Sequence, residues 1–406
     1  MTISLKKIAA TLLVGFILLI AVGAYLEQNE IIVLSYLIIS TLVFLVPFSL
    51  NRRDAIYINY KKISKAWVAF LILSVVTTVI HGRWNNMHTV FIEITFFYIA
   101  LLLTACTDLK LFLKYFRNLI VLLSFLGIIT FFFDIDFFSG IKNSTGYLTV
   151  DTAVGGGISS VFEFRHYYGA FLVCTLITLL EYNYSNRIFQ FISFCCVLVN
   201  IALTFTINTW ISCIIVLLFY LYKKSEYKIT QKAIIQFIEI VALIILFGVV
   251  FYNIWQTLFI NLWSRFLNAI ASIDENTVRV YTFTNGIEYI LHVKKEYFWI
   301  GGGCGTAIEW LIQNPAGQWK QWNSAIDMQY VTIFMDNGLI GVVLILSIFV
   351  KAIKKYISKN NYFYLVFLMF FIIMMFFEII GTSTSIFAFW CICICFLFQE
   401  ERVVAK

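Results

Sequence analysis

The sequence predicts an all-α polytopic membrane protein with about twelve transmembrane helices, and three observations carry that expectation. Of its 406 residues, 61% are hydrophobic and 13% charged, a balance outside that of soluble domains. Apolar runs long enough to cross a hydrocarbon core of ~30 Å recur along the whole chain. Proline occurs only twice, so almost nothing interrupts those runs.

Taken in order, the first run covers residues 8–26 of "MTISLKKIAATLLVGFILLIAVGAYL". Its basic start, long core and lack of a small-x-small cleavage pattern make it a retained span rather than a removed signal peptide. Runs at 31–50, 66–81, 90–106 and 118–133 follow, then 167–182. The pair 188–204 and 209–222 is divided at "TINT". After 233–254 comes the longest interval without a span, residues 255–328, and the chain closes with 329–350, 362–380 and 386–398. Several runs fall short of the ~20 residues that an upright helix needs. With no soluble domain left between them, the chain reads as a single integral membrane domain over 1–406, its chemistry confined to helix ends and loops.

Charge orients it. With the N-terminus cytoplasmic, 21 of the 29 basic residues fall on the inner side, including Lys6, Lys7, Arg52, Arg53, Lys61, Lys62, Lys65, Lys351, Lys354 and Lys355. Both termini are then inside, and the formal charge of +7 reflects topology rather than nucleic-acid binding. Segments 134–166 and 255–328 lie outside and form the expected active-site face. Eight cysteines sit in or beside apolar runs, and only Cys304 lies in the long loop, so no loop disulfide or cysteine metal site can be built there. Four histidines without paired ligand spacing give no zinc site.

Seven of the eight outer basic residues (Lys142, Arg165, Arg265, Arg279, Lys294, Lys295 and Lys320) lie in those two segments, and Arg83 is the exception. Basic groups held outside against the general bias suit an anionic ligand, or else pair with outer acids such as Asp274, Glu275 and Glu296. The long loop also holds six of the ten tryptophans. Trp255 and Trp263, beside a span, read as interfacial belt residues, whereas Trp319 and Trp322 in "WLIQNPAGQWKQWNS" fit either a belt or stacking on sugar faces. "WIGGGCGTAIEW" at 299–310 lacks the GK[ST] ending of a P-loop and a flanking strand, so it is no nucleotide cradle. Its glycines let the backbone reverse and approach closely, with a backbone N–H contact to phosphate as the rival use. Arg165 and His166 stand at the mouth of the sixth span, and Arg279 stands on an expected helix in "ENTVRVYTFTNGIEYI". Arginine is the side chain suited to phosphate because its fork donates in pairs and keeps its charge. Glu93, Glu239, Asp336 and Glu378 sit in or near apolar runs, where an ionisable group either has a task or is absorbed by packing.

The order "RVYTFTNGIEYI", "YFWIGGGCGTAIEW", "DMQYVTIFMDNGLIGVVLIL" resembles the O-antigen polymerase (Wzy) family within the O-antigen ligase-polymerase group. The family's Arg, G-x-G turn, Asp or His followed by Tyr, and G-[LI]-[LI]-G step correspond to Arg279, Gly301–Gly305, Asp327 with Tyr330, and Gly338 with Gly341. A further match is "FRHYYGAFL" around Arg165, which lacks the Pro-Asn that often follows that arginine. Ligases carry His-Asn where this chain has Asp327 and Met328, which sets it nearer the polymerases.

The resemblance implies a GT-C-like glycosyltransferase of the bacterial cytoplasmic membrane, acting on its periplasmic or extracellular face without cofactor or metal. Its reaction would be polymerisation of undecaprenyl-pyrophosphate-linked repeat units into O-antigen, capsule or exopolysaccharide. Arg165 and Arg279 would neutralise the departing pyrophosphate, and Asp327 would take the acceptor proton. Arg265, His166, Tyr330, Trp319, Trp322, Gly303 and Gly305 would contact substrate, with His292 in second rank beside Arg265. Flippase and chain-length regulator proteins are the implied partners, and the lipid bilayer surrounds the chain. Each role has a plain rival: Arg279 pairs with Glu275 one turn earlier, Asp327 caps the tenth span, and His166 is an interfacial histidine. An O-antigen ligase is the neighbouring enzymatic reading, and a lipid-linked oligosaccharide flippase or transporter is the reading from another class.

Overall fold

The computed structural model describes residues 4–26, 29–49, 65–133, 150–151, 157–158, 160, 162, 165–204, 206–224, 278–314, 329–359 and 384–398. Helix dominates among them. In chain order the helices are α1 (Leu5–Leu26), α2 (Asn29–Ser49), α3 (Lys65–Ile80), α4 (Met87–Ala105), α5 (Leu109–Phe133) and α6 (Arg165–Glu181), then α7 (Arg187–Leu203) and α8 (Ile207–Lys224). After the interval come α9 (Val278–Glu288), α10 (Thr306–Gln313), α11 (Gln329–Lys359) and α12 (Ser385–Phe398). The described strands are β1 (Val150–Asp151) and β2 (Gly157–Ile158), a two-residue antiparallel pair with Val150 opposite Ile158.

Ten of the expected spans coincide with described helices, while 233–254 and 362–380 lie outside the described residues. Among the described residues, four stretches are long and apolar enough to cross a membrane: Leu5–Gly23, Trp84–Ala105, Leu109–Ile129 and Gln329–Lys354. The remaining apolar helices are shorter. Two boundaries differ from the sequence reading. α5 begins at Leu109 rather than 118, because the Asp108 carboxylate accepts from the Leu111 N–H at 2.9 Å and caps the helix ahead of its apolar run. α11 continues to Lys359 rather than 350, since Lys351, Lys354, Lys355 and Lys359 are good helix formers.

By their contacts the residues fall into two compact units. The first comprises residues 1–119, 161–163 and 278–406. In it α1 packs on α2, α4 and α12, α4 also on α2, α3 and α12, and α3 along α11. Its core is aromatic: Phe16 meets Tyr36 at 5.0 Å and the edge of Phe96 at 5.1 Å, while Phe116 stacks on Phe389 at 4.8 Å. Alanines at 9, 10, 21, 100 and 388, all fully buried, let the helix backbones approach.

The second unit comprises residues 120–160 and 164–277. Its centre is α6, in which every residue from Tyr167 to Leu179 is buried. A helix covered on all sides needs partners for its polar groups. The Tyr168 hydroxyl donates to Asn200 Oδ1 at 3.1 Å, and Asn200 Nδ2 donates to the Ser124 and Cys196 carbonyls at 2.9 Å.

Candidate functional site

The first unit brings the glycine run between two supports, and the first is the α3–α4 turn. α3 ends in a Schellman motif: Gly82 (φ +65°) donates to the Val79 carbonyl at 3.0 Å, and the Arg83 N–H donates to the Thr78 carbonyl at 3.0 Å. That turn presents Arg83 and Asn86 to the loop. Arg83 Nε donates to the Gly302 carbonyl at 2.7 Å, and its Nη1 lies 2.6 Å from Glu309 Oε2. Asn86 Nδ2 donates to the Cys304 carbonyl at 2.8 Å, and the Cys304 N–H donates to Thr78 Oγ1 at 3.0 Å. Arg83 thus pairs with an acid, the plain alternative to an anionic ligand.

The second support is a break in α11. Gly338, at φ +65° and ψ −169°, interrupts the helix in a region of backbone space essentially reserved for glycine. A break frees carbonyls on one side and amides on the other, and the loop satisfies both. The N–H groups of Gly302 and Gly303 donate to the Met335 and Asp336 carbonyls at 2.9 and 3.0 Å. In return the N–H groups of Leu339 and Ile340 donate to the Phe298 and Trp299 carbonyls at 2.8 and 3.1 Å. The two backbones touch: a Cβ on Gly301 would come within 2.3 Å of the Asp336 carbonyl, and one on Gly338 within 2.4 Å of that of Trp299. Close approach and reversal, expected from the glycines, are both present.

The other loop amides have partners as well. Asp336 accepts from the Gly305 N–H at Oδ2 (3.2 Å) and from the Ala307 N–H at Oδ1 (2.9 Å), so its carboxylate sits on the first turn of α10. The Thr306 N–H donates to the Gly303 carbonyl at 3.2 Å. The donors that a phosphate cradle would use, those of Gly303 and Gly305 included, are directed at groups of this chain.

Beside this splice lies a partly open cavity of about 80 Å³ lined by α3, α4, the loop, α11 and α12. Trp67, Phe70, Phe387 and Trp390 form its aromatic wall. Its polar lining comes from Glu93, Cys304, Gln329, Thr332, Asp336 and Asn337. Trp67 fixes the wall by stacking on Phe70 at 5.2 Å and meeting the edge of Trp390 at 6.2 Å. Asn337 Nδ2 donates to Ser74 Oγ at 2.8 Å, which ties the break to α3. Burial, with Asp336 and Glu93 adding to it against Arg83, raises the Cys304 thiol well above its usual range. Cys304 is therefore a poor nucleophile and a poor thiolate ligand at neutral pH.

Of the residues read from sequence, Arg279 stands in the first turn of α9. α9 packs on α10 and α11, and its Gly286 lies close enough that a Cβ there would be 3.0 Å from Val331 Cγ1. The shared core is Ile290, Ala307, Trp310, Leu311, Val331 and Met335, with Tyr281 stacked on Trp310 at 6.4 Å. Tyr330 is half-buried in the first turn of α11. Arg165 and His166, both half-buried, open α6 in the second unit, and the His166 ring meets Tyr167 edge-on at 4.5 Å. Asp327, Arg265, Trp319 and Trp322 lie outside the described residues. No protein-family model and no curated protein matches the chain.

Arg83 and Asn86 were missed as elements of the site. Their signal was present: Arg83 is the basic residue that the sequence reading puts outside yet in neither segment 134–166 nor 255–328. Glu93 and Asp336 were legible as ionisable groups within apolar runs, although not as neighbours of one cavity.

Proposed function

We propose that the chain is a polysaccharide repeat-unit polymerase of the bacterial cytoplasmic membrane, with twelve spans, both termini inside and its active site on the outer face. It moves a growing glycan from undecaprenyl pyrophosphate to the non-reducing end of the next lipid-linked repeat unit. The acceptor oxygen bonds to the anomeric carbon, the bond from that carbon to the pyrophosphate oxygen breaks, and undecaprenyl pyrophosphate leaves. Arg279 and Arg165 neutralise the charge on the leaving group, and Asp327 takes the hydroxyl proton. The observation that supports this reading is the packing of α9 on α10 and on the first turns of α11. That packing puts the element carrying Arg279 against the helix that starts two residues after Asp327.

The reading is tested by Arg279→Ala at matched protein level, with surface glycan separated on gels. Loss of long chains with single repeat units still attached to lipid is the expected result. Normal long-chain glycan overturns the clamp.

One observation favours a second reading, a lipid-linked oligosaccharide transporter. A discontinuous α11 beside Glu93 and Asp336 is the kind of element that lines a transport path. Deletion of the gene separates the two: a polymerase leaves one outward repeat unit on lipid, a transporter leaves the units facing inward.

A further inference from the structure

We propose that the cavity at the break of α11 is a binding site for a small monovalent cation with hard oxygen ligands, of the sodium class, anchored by Glu93. The inference rests on neither functional reading.

Charge is the first argument. Two carboxylates line the cavity, and among the described residues its lining holds no lysine, arginine or histidine. Arg83, the cation whose field reaches Asp336, already donates to the Gly302 carbonyl and pairs with Glu309. Asp336 has an amide donor on each oxygen. Glu93 has none among the described hydrogen bonds, is half-buried, and lines the cavity. A carboxylate that accepts no described hydrogen bond beside an aromatic wall is costly, and a cation beside it removes that cost.

Space and ligand chemistry are the second. The volume of about 80 Å³ admits an ion together with water. The donors on offer are oxygens. Asn337 gives its N–H to Ser74, which leaves its side-chain carbonyl to accept. The Cys304 thiol stays protonated and adds no soft ligand. One carboxylate without a donor calls for a single positive charge.

The test uses the purified full-length protein in nanodiscs at fixed pH and ionic strength. Thermal unfolding is followed in sodium chloride and in N-methylglucamine chloride, a cation too large for the cavity, and binding of radioactive sodium is measured directly. Saturable binding of about one sodium per chain is expected, with an unfolding midpoint that rises with sodium as a ligand of the folded state requires. Glu93→Gln should lose both responses. Should that variant fail to fold, direct sodium binding to the unaltered chain still decides. Equal midpoints in the two salts without saturable binding overturn the proposal. So does a sodium response that survives Glu93→Gln, or a midpoint that follows pH alone, which would mean that a proton neutralises Glu93.

Discussion

At the scale of single residues, two glycines with the same φ meet different surroundings. Gly338 and Gly82 both have φ +65°, but a Cβ on Gly338 collides with the Trp299 backbone, while one on Gly82 meets nothing within 4 Å. Gly82→Ala should therefore cost only the left-handed backbone penalty, roughly 1–2 kcal/mol. Gly338→Ala adds a steric clash to a conformation worth about 1–3 kcal/mol by itself, so about 3 kcal/mol or more is expected. Unfolding midpoints of the two variants in the same detergent check the ordering, and equal losses would mean that the break in α11 can relax. At this scale the sequence was legible in kind but not in partner. The "GGGCG" run announced a backbone reversal, but nothing in it showed that Gly301 would lie against Gly338, because that contact joins segments that only the fold brings together.

At the scale of elements, α10 depends on a residue far from it in sequence. Its first turn has no capping side chain of its own, and Gly305 precedes it at φ +87°. The cap comes from Asp336, across the splice. Asp336→Ala should remove a capping interaction worth about 0.5–2 kcal/mol. The expected signature is amide hydrogen exchange roughly tenfold faster at Gly305 and Ala307, with exchange in α1 and α2 unchanged. Unchanged exchange at both amides would show that α10 holds its first turn without Asp336. Helices such as α1, α3 and α4 could be read from hydropathy because burial of apolar side chains decides them. α10 and the break in α11 could not, because paired backbone groups from distant segments decide them.

At the scale of the whole molecule, the bias of 21 of 29 basic residues toward one side makes a topological prediction. An outside-active reporter enzyme fused after Gln313 should be active, and the same reporter fused after Lys224 or Lys359 should be silent. The opposite pattern would invert the chain and remove the outer-face reading of the glycine loop. What sequence could not supply at this scale is the division into two units, because an apolar run carries no mark of which neighbours it will touch. The splice also orders events as the chain is made. α3 and α4 are synthesised long before the loop, and the loop before α11. Until Gly338 and its flanking residues arrive, the N–H groups of Gly302 and Gly303 and the carbonyls of Phe298 and Trp299 lack the partners that they have in the finished protein. A broken helix in lipid lacks its own partners in the same way. Loop and helix can therefore dock only once α11 has been made.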